Sequence, residues 1–216
     1  MTLKENKFTW PTIQRLSEYL IILEQLAKTG EKVISSSDLA NYYGNTPSQV
    51  RQDIFRLPNT GRVGHGYDIS KLSGSIRDSL LMTEETNVII IGCGNLGSTL
   101  ASHIPFTDYG MRLLAIFDKS QDVIGTEIAG TKVRSTSDMC DFINENDISV
   151  ACLCVPTDVA QETVDKLIPN GVNSFLNYSK ARLQVPSEVF VQHEQIVCSF
   201  MKVVYASKIL KNREEN

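Results

Sequence analysis

The sequence predicts an α/β protein in two parts, a small helical domain followed by a larger domain of alternating strands and helices. Three observations carry that expectation. Val88-Ile89-Ile90-Ile91 is an unbroken apolar, mostly β-branched run, which reads as a strand buried on both faces of a parallel sheet. The run ends in Gly92-Cys93-Gly94-Asn95-Leu96-Gly97, a G-x-G-x-x-G turn of the type that joins a strand to a helix. That turn begins near residue 90 rather than residue 10, so a separate unit of about eighty residues precedes it.

The composition of the 216-residue chain, 42% hydrophobic and 21% charged, fits an ordinary globular protein. No apolar run approaches the roughly 18 residues of a membrane span. The start, Met1 to Lys7, lacks the apolar core of a secretory signal, so a cytoplasmic protein without a membrane partner is expected. The five cysteines, Cys93, Cys140, Cys152, Cys154 and Cys198, are odd in number and have no metal-like spacing, so neither a metal nor a disulfide framework is expected. Cys152 and Cys154 are expected on opposite faces of their strand and so not to share a ligand. Charge is uneven: residues 1–80 carry net +2 and residues 81–216 net −6, a sign that favours a polyanion partner for the front part alone.

In the front part, Thr9-Trp10-Pro11 opens a helix with Ile13, Leu16, Leu20, Leu23, Leu26 and Ala27 at helical spacing, ended by Gly30. Ser35-Ser36-Ser37-Asp38 opens a second, short helix that Gly44 breaks. Thr46-Pro47 caps a third, which turns Val50, Ile54 and Leu57 inward. Ala40, Gly44 and Val50 stand at the spacing of a helix-turn-helix: a small residue for close crossing, a glycine for the turn, an apolar residue to seat the second helix. The alternative for this segment is a plain helical hairpin with a solvated polar face. In the helix-turn-helix reading, Thr46, Ser48, Gln49, Arg51, Gln52 and Arg56 are the candidates for base edges and phosphates. The glycine-rich stretch Asn59 to Tyr67 reads as a hairpin wing with Arg62 at its tip, able to enter a minor groove. Residues 69–82 read as a linker helix with Leu72, Ile76, Leu80 and Leu81 apolar.

In the back part, Gly92 makes the tight turn, Gly94 removes the side chain that would block a diphosphate, and Gly97 lets the next helix pack close. That helix, opening at Asn95-Leu96, offers unpaired N–H groups to phosphate oxygens. Leu113 to Asp118 is the second strand, and Asp118, 21 residues after Gly97, suits the two ribose hydroxyls and repels a 2′-phosphate, with Lys119 softening that preference. Ile148 to Val155 and Ser174 to Asn177 are further strands, separated by a helix from Val159 to Ile168. Their ends, Val155-Pro156 and Asn177-Tyr178, are expected at the carboxyl edge of the sheet where ligands sit. Cys93, within the turn, reads as a small filler ahead of a thiol sensor; Met201 to Leu210 reads as a final helix. No acid/base pairing or nucleophile stands where it would meet a nicotinamide, so no catalytic residue is assigned, and His103 and His193 read as structural. A nucleotide unit without catalytic groups, fused to a DNA-reading unit, describes a sensor.

The ordered set Ser35-Ser36-x-x-Leu39-Ala40, Thr46 to Ile54, Gly64-His65-Gly66-Tyr67, Gly92 to Gly97, Phe117-Asp118, Val155-Pro156 and Leu176-Asn177 resembles the Rex family of redox-sensing transcriptional repressors over nearly the whole chain. The resemblance implies a homodimer with a winged helix-turn-helix domain (1–82), a Rossmann NAD(H)-binding domain (83–198), and a C-terminal helix (199–216) swapped between protomers. Family members hold palindromic double-stranded operators when the NADH/NAD ratio is low and release them when NADH binds. The chain departs from the family pattern at Gln52 and Val63, where Lys and Arg are usual, and over Phe55-Arg56-Leu57-Pro58, where a Ser-Tyr-Phe-Gly-like run is usual. The loss of two cations reduces phosphate neutralisation, with Arg56 as a compensating charge. A gapless alignment also places Ile21, His103 and Gln195 where the family links its domains through Arg, Tyr and Asp. Either nucleotide binds without switching the dimer, or switching runs through other contacts. The alternative functions are a small nicotinamide-dependent oxidoreductase whose front domain only dimerises, and a regulator that takes another nucleotide such as coenzyme A.

Overall fold

The structure, a computed structural model, describes residues 7–63 and 66–214. The chain divides between Glu84 and Glu85 into two compact units.

The N-terminal unit opens with α1 (Trp10–Lys28), which buries Leu16, Tyr19, Leu20, Ile22 and Leu23. Ala27, expected inward, is exposed, and the stripe runs instead through Tyr19 and Ile22. After the short strand β1 (Val33–Ile34), Ser35 accepts the Asp38 N–H at 3.0 Å and starts α2 (Ser36–Tyr43). Gly44 closes α2 in the left-handed region (φ 67°), and Thr46 then accepts the Gln49 N–H at 3.1 Å to start α3 (Pro47–Phe55). Ala40, Val50 and Ile54 are buried between these helices, as a helix-turn-helix requires. Strands β2 (Arg62–Val63) and β3 (Gly66–Asp68) form an antiparallel hairpin that joins β1 in the order β1-β3-β2, giving the wing. The hairpin tip, Gly64-His65, and the Arg62 side chain lie outside the described residues.

Helix α4 (Ile69–Ser79) buries Leu72 and Ile76 and packs on α1, with Arg77 bonded to Glu24. It therefore belongs to the core of its unit rather than acting as a free linker. It also ends sooner than expected: Leu80 is half-buried and Leu81 is exposed at φ 58°.

The C-terminal unit is a seven-stranded sheet in the order β10-β9-β8-β4-β5-β7-β6. Its strands are β4 (Thr86–Ile91), β5 (Met111–Asp118), β6 (Glu127–Ile128), β7 (Thr131–Ser135), β8 (Val150–Leu153), β9 (Ser174–Asn177) and β10 (Phe190–His193). All pairings are parallel except that of the edge strand β6 with β7. In chain order the six parallel strands run 3-2-1-4-5-6, the doubly wound Rossmann arrangement, which reverses direction between β4 and β8. Helices α5 (Asn95–His103), α6 (Met139–Asn146) and α7 (Thr157–Leu167) connect them. Ile89 and Ile91 enter one buried cluster with Phe117, Leu153 and Val164, whereas Ile90 enters another with Ala101 and Ile116. Both faces of the sheet are covered, which is why β4 is apolar without alternation.

The final helix α8 runs Ile196–Glu214, starting earlier than the sequence suggests. It leaves Phe200, Met201, Val204, Tyr205 and Leu210 exposed.

The least anticipated feature of the N-terminal unit is Asp53, on the inner face of α3 and only 2% exposed. Its carboxylate accepts Nε of Arg15 at 2.7 Å, a second guanidinium N–H at 2.8 Å, and the Tyr19 hydroxyl at 3.2 Å. The bidentate pair holds the Arg15 guanidinium above its ordinary range, and burial next to Asp53 pushes the Tyr19 phenol up strongly. Asp53→Ala would leave a part-buried guanidinium without its acceptor. It is expected to destabilise the N-terminal unit by about 3 kcal/mol, read as an earlier urea transition; an unchanged midpoint would show that α3 is not seated by this pair.

Candidate functional site: a nucleotide cleft and a DNA-facing helix

Two surfaces collect the candidate residues, one in each unit. In the C-terminal unit a cleft of about 810 Å³ opens at the carboxyl ends of β4, β5, β7 and β8. It spans the β4/β8 reversal, where doubly wound sheets take their ligands. The β4 end is stitched on both sides: Gly92 N–H donates to Phe117 O (2.7 Å) and Cys154 N–H to Ile91 O (2.8 Å).

The three glycines of the turn do different things. Gly92 has φ 96°, and a Cβ there would stand 2.5 Å from the Cys154 carbonyl oxygen. A Cβ on Gly97 would collide with the Gly92 carbonyl oxygen. Gly94 has an ordinary extended backbone, lines the cleft, and a Cβ there would meet nothing within 4 Å. The protein thus needs glycine at 92 and 97 for its own packing, whereas the space at 94 suits the approach of a ligand. Asn95 and Leu96 begin α5, whose first-turn N–H groups lack intrahelical partners and carry the positive end of the helix dipole.

Asp118 closes the second strand beside this turn. One carboxylate oxygen accepts the Cys93 N–H at 2.6 Å and the other accepts the Ser120 N–H at 2.8 Å. A carboxylate has about four acceptor positions, so two remain for a ligand diol. Lys119, Val155 and Pro156 line the same cleft. Cys93 is buried behind the turn, and burial together with the Asp118 charge pushes its thiol up, which suits a filler rather than a reactive group.

Asn177 is placed differently. It is wholly buried, its amide N–H groups reach Ala181 O (3.1 Å) and His193 Nδ1 (3.0 Å), and its oxygen accepts the N–H and hydroxyl of Ser179. It pins the loop after β9 and is not among the residues that line the cleft. The cleft also uses residues the sequence reading did not reach: Ser135 at the end of β7 with Thr136 and Ser137 after it, Met139 on α6, and Glu162 and Lys166 on α7, paired at 2.7 Å.

Cys152 and Cys154 correct an expectation. Their sulfurs lie 3.7 Å apart and pack against the same cluster, because residues two apart on a strand share a face. The contact between the two sulfurs holds the Cys154 thiol down, while the same contact and burial push Cys152 up. Among the described residues no group of three or more His, Cys, Asp or Glu could hold a metal ion, and no helix is long and apolar enough to cross a membrane.

In the N-terminal unit, Ser48, Arg51, Gln52, Phe55 and Arg56 share an exposed, shallow concavity on α3. Arg51 is steadied by Ser36 Oγ at 3.1 Å. Thr46 is the helix cap, and the Gln49 amide turns inward to Asp53 at 3.1 Å, so these two set the helix rather than standing on its outer face. Of the three positions expected to link the domains, Ile21 is half-buried, His103 Nδ1 sits 3.0 Å from Thr99 O, and Gln195 precedes α8 with its carbonyl accepting the Cys198 N–H.

A winged helix-turn-helix and a Rossmann unit with a glycine-lined cleft, in one chain, define the class of nucleotide-responsive DNA-binding regulators. The chain matches the family model "Putative DNA-binding protein N-terminus" over residues 8–54 and "CoA binding domain" over residues 83–181. It is 35% identical to the redox-sensing transcriptional repressor Rex of Thermoanaerobacter pseudethanolicus over 202 residues, 94% of this chain and 90% of the relative. It is 32% identical to that of Caldicellulosiruptor saccharolyticus over 98% of this chain and 97% of the relative. Among solved structures it resembles RSP, a Rex-family repressor, in complex with β-NADH (TM-score 0.85, 32% identity, 96% of this chain and 98% of that one). It also resembles RSP in complex with β-NAD+ and operator DNA (TM-score 0.81, 32% identity, 97% and 98%). The chain belongs to the Rex family of redox-sensing transcriptional repressors.

The different roles of the glycines are separable. Gly97→Ala is expected to cost about 3 kcal/mol of stability through overpacking. Gly94→Ser, at a favoured helix-cap position with open space, should leave thermal unfolding within about 0.5 kcal/mol of the parent. It should nonetheless weaken NADH binding at least about tenfold by calorimetry, a loss of ~1.4 kcal/mol.

Proposed function

We propose that the chain is a DNA-binding transcriptional repressor that senses the NADH/NAD ratio, holding its operator when NADH is scarce and leaving it when NADH binds. The observation that carries this reading is the cleft at the sheet reversal, with Gly94 open and Asp118 holding spare acceptors, in the same chain as a cationic helix-turn-helix face. The Rex-family relative RSP is solved with β-NADH and with β-NAD+ plus operator DNA, which supports both ligands for this chain.

In this reading Gly92, Gly94, Asn95 and Leu96 receive the diphosphate, Asp118 takes the ribose diol, and Val155 and Pro156 form the apolar wall. Cys93, Gly97 and Asn177 position that surface from behind. Ser48, Arg51, Gln52 and Arg56 contact the operator, and Arg62 of the wing reaches the adjacent minor groove. Residues 1–82 read DNA, 83–198 hold the nucleotide, and the helix of 199–216 dimerises, its exposed Phe200, Met201 and Tyr205 covered by a second copy of the chain with the helix swapped. The nucleotide is a signal and is not turned over, and the protein works in the cytoplasm beside the chromosome.

The Asp118 carboxylate selects against a phosphate on the ribose. NADPH carries one at the 2′ position and coenzyme A at the 3′ position, whereas NADH presents a free diol. At ~100 times its dissociation constant NADH should stabilise the protein by about 2.7 kcal/mol, with smaller thermal shifts from equal concentrations of NADPH and coenzyme A. In an anisotropy titration with a palindromic operator, saturating NADH should weaken DNA binding and NAD+ should not. Equal operator affinity in both would remove the sensor reading.

A further inference from the structure

Phe55 ends α3 and is 89% exposed, the most open of the large apolar side chains on that helix. A single exposed ring is ordinary; its setting here is not. On the helical period, Ser48, Arg51, Gln52 and Phe55 stand three and four residues apart on the outer face, opposite the buried Val50, Asp53 and Ile54. Arg56 borders the same concavity of about 420 Å³. The ring thus shares an exposed concavity with two arginines, Arg51 and Arg56, on a face whose charge suits a polyanion.

An apolar protein partner would be expected to meet a continuous apolar patch, and this face offers one ring in a cationic surround. The DNA major groove presents that pattern in reverse: phosphates flank base edges that are polar except for one group, the 5-methyl of thymine. The geometry also fits. Seven residues separate Ser48 from Phe55, about 10 Å along a helix axis, close to three base-pair rises of ~3.4 Å. A helix lying along the groove would set Gln52 about two base pairs and Phe55 about three base pairs beyond Ser48.

We propose that Phe55 is a specificity-determining residue of this chain, its ring packing on the 5-methyl group of a thymine in each operator half-site. The proposal rests on the reading that α3 enters the major groove. Burying one methyl group contributes about 0.8 kcal/mol, a factor of about four per half-site and about fifteen for a palindrome read twice.

The test first selects duplexes from a randomised-sequence library with the full chain. Thymines of the winning palindrome are then replaced, one symmetry-related pair at a time, by deoxyuridine, which removes the methyl group alone. The parent chain should lose about fifteenfold at one such pair. Phe55→Ser should bind the thymine and deoxyuridine duplexes equally, and Phe55→Leu should keep most of the discrimination. The deoxyuridine arm with the parent chain needs no variant to fold. If the parent chain binds the selected duplex and is indifferent to every replacement, Phe55 does not read a methyl group and the repressor reading still stands. If no duplex is enriched, the repressor reading fails and the Phe55 assignment falls with it.

Discussion

The C-terminal unit depends on one close approach: Gly97, in the first turn of α5, lies against the Gly92 carbonyl with no room for a side chain between them. That contact sets the angle at which α5 leaves β4, and with it the direction in which the helix N-terminus points. Gly92 is pressed in turn against the Cys154 carbonyl, so the ends of β4 and β8 are drawn together at the reversal of the sheet. The cleft is the space left at their carboxyl ends. Its shape therefore follows from backbone packing, and its phosphate preference from a helix dipole that the same packing aims.

Asp118 ties the second strand into this arrangement. By accepting the Cys93 and Ser120 N–H groups it braces the glycine turn and the β5 end together, so the acceptors left for a ligand are held rigidly. A ribose diol that binds there adds to a preformed network and does not have to order a loose side chain, which lowers the entropic cost of recognition. The same negative charge contributes to raising the Cys93 thiol, so the carboxylate proposed to take the ribose also leaves this cysteine a poor nucleophile. Nucleotide recognition and thiol reactivity are set against each other at this turn.

Much of this was legible in the chain because local chemistry and global fold agree there. The β4 run, the glycine turn, Asp118 and the helix-turn-helix caps all state their role within a few residues of sequence. What escaped was non-local or weakly patterned. Strand β7 buries a single apolar residue, Val133, and β10 buries none fully, so neither shows a period, and the Ser135-Thr136-Ser137 edge of the cleft went unseen with β7. Asp53 looks like a surface acid until Arg15, 38 residues earlier, folds against it. Asn177 reads as a ligand residue from its place at a strand end, whereas its amide is already committed to Ala181, His193 and Ser179. The paired sulfurs of Cys152 and Cys154 follow from strand geometry and needed only the correct period.

A nucleotide in one unit alters operator affinity only if it binds two states of the dimer with different free energies. A hundredfold change in operator affinity needs about 2.8 kcal/mol, and DNA must weaken the nucleotide by the same factor. An exchange of hydrogen bonds among Arg, Tyr and Asp could supply that energy, but the gapless alignment sets Ile21, His103 and Gln195 at those positions. Apolar contact offers the same energy by another route. At ~25 cal/mol per Å², 2.8 kcal/mol corresponds to about 110 Å² of apolar surface, less than one buried aromatic side chain covers. Helix α8 exposes Phe200 and Tyr205 along with Met201 and Val204. A dimer packed through these side chains would need to cover or uncover only one ring between its two states to carry the signal. If α8 is the dimerisation helix, as proposed, these apolar side chains are the contact best supplied to couple nucleotide to DNA.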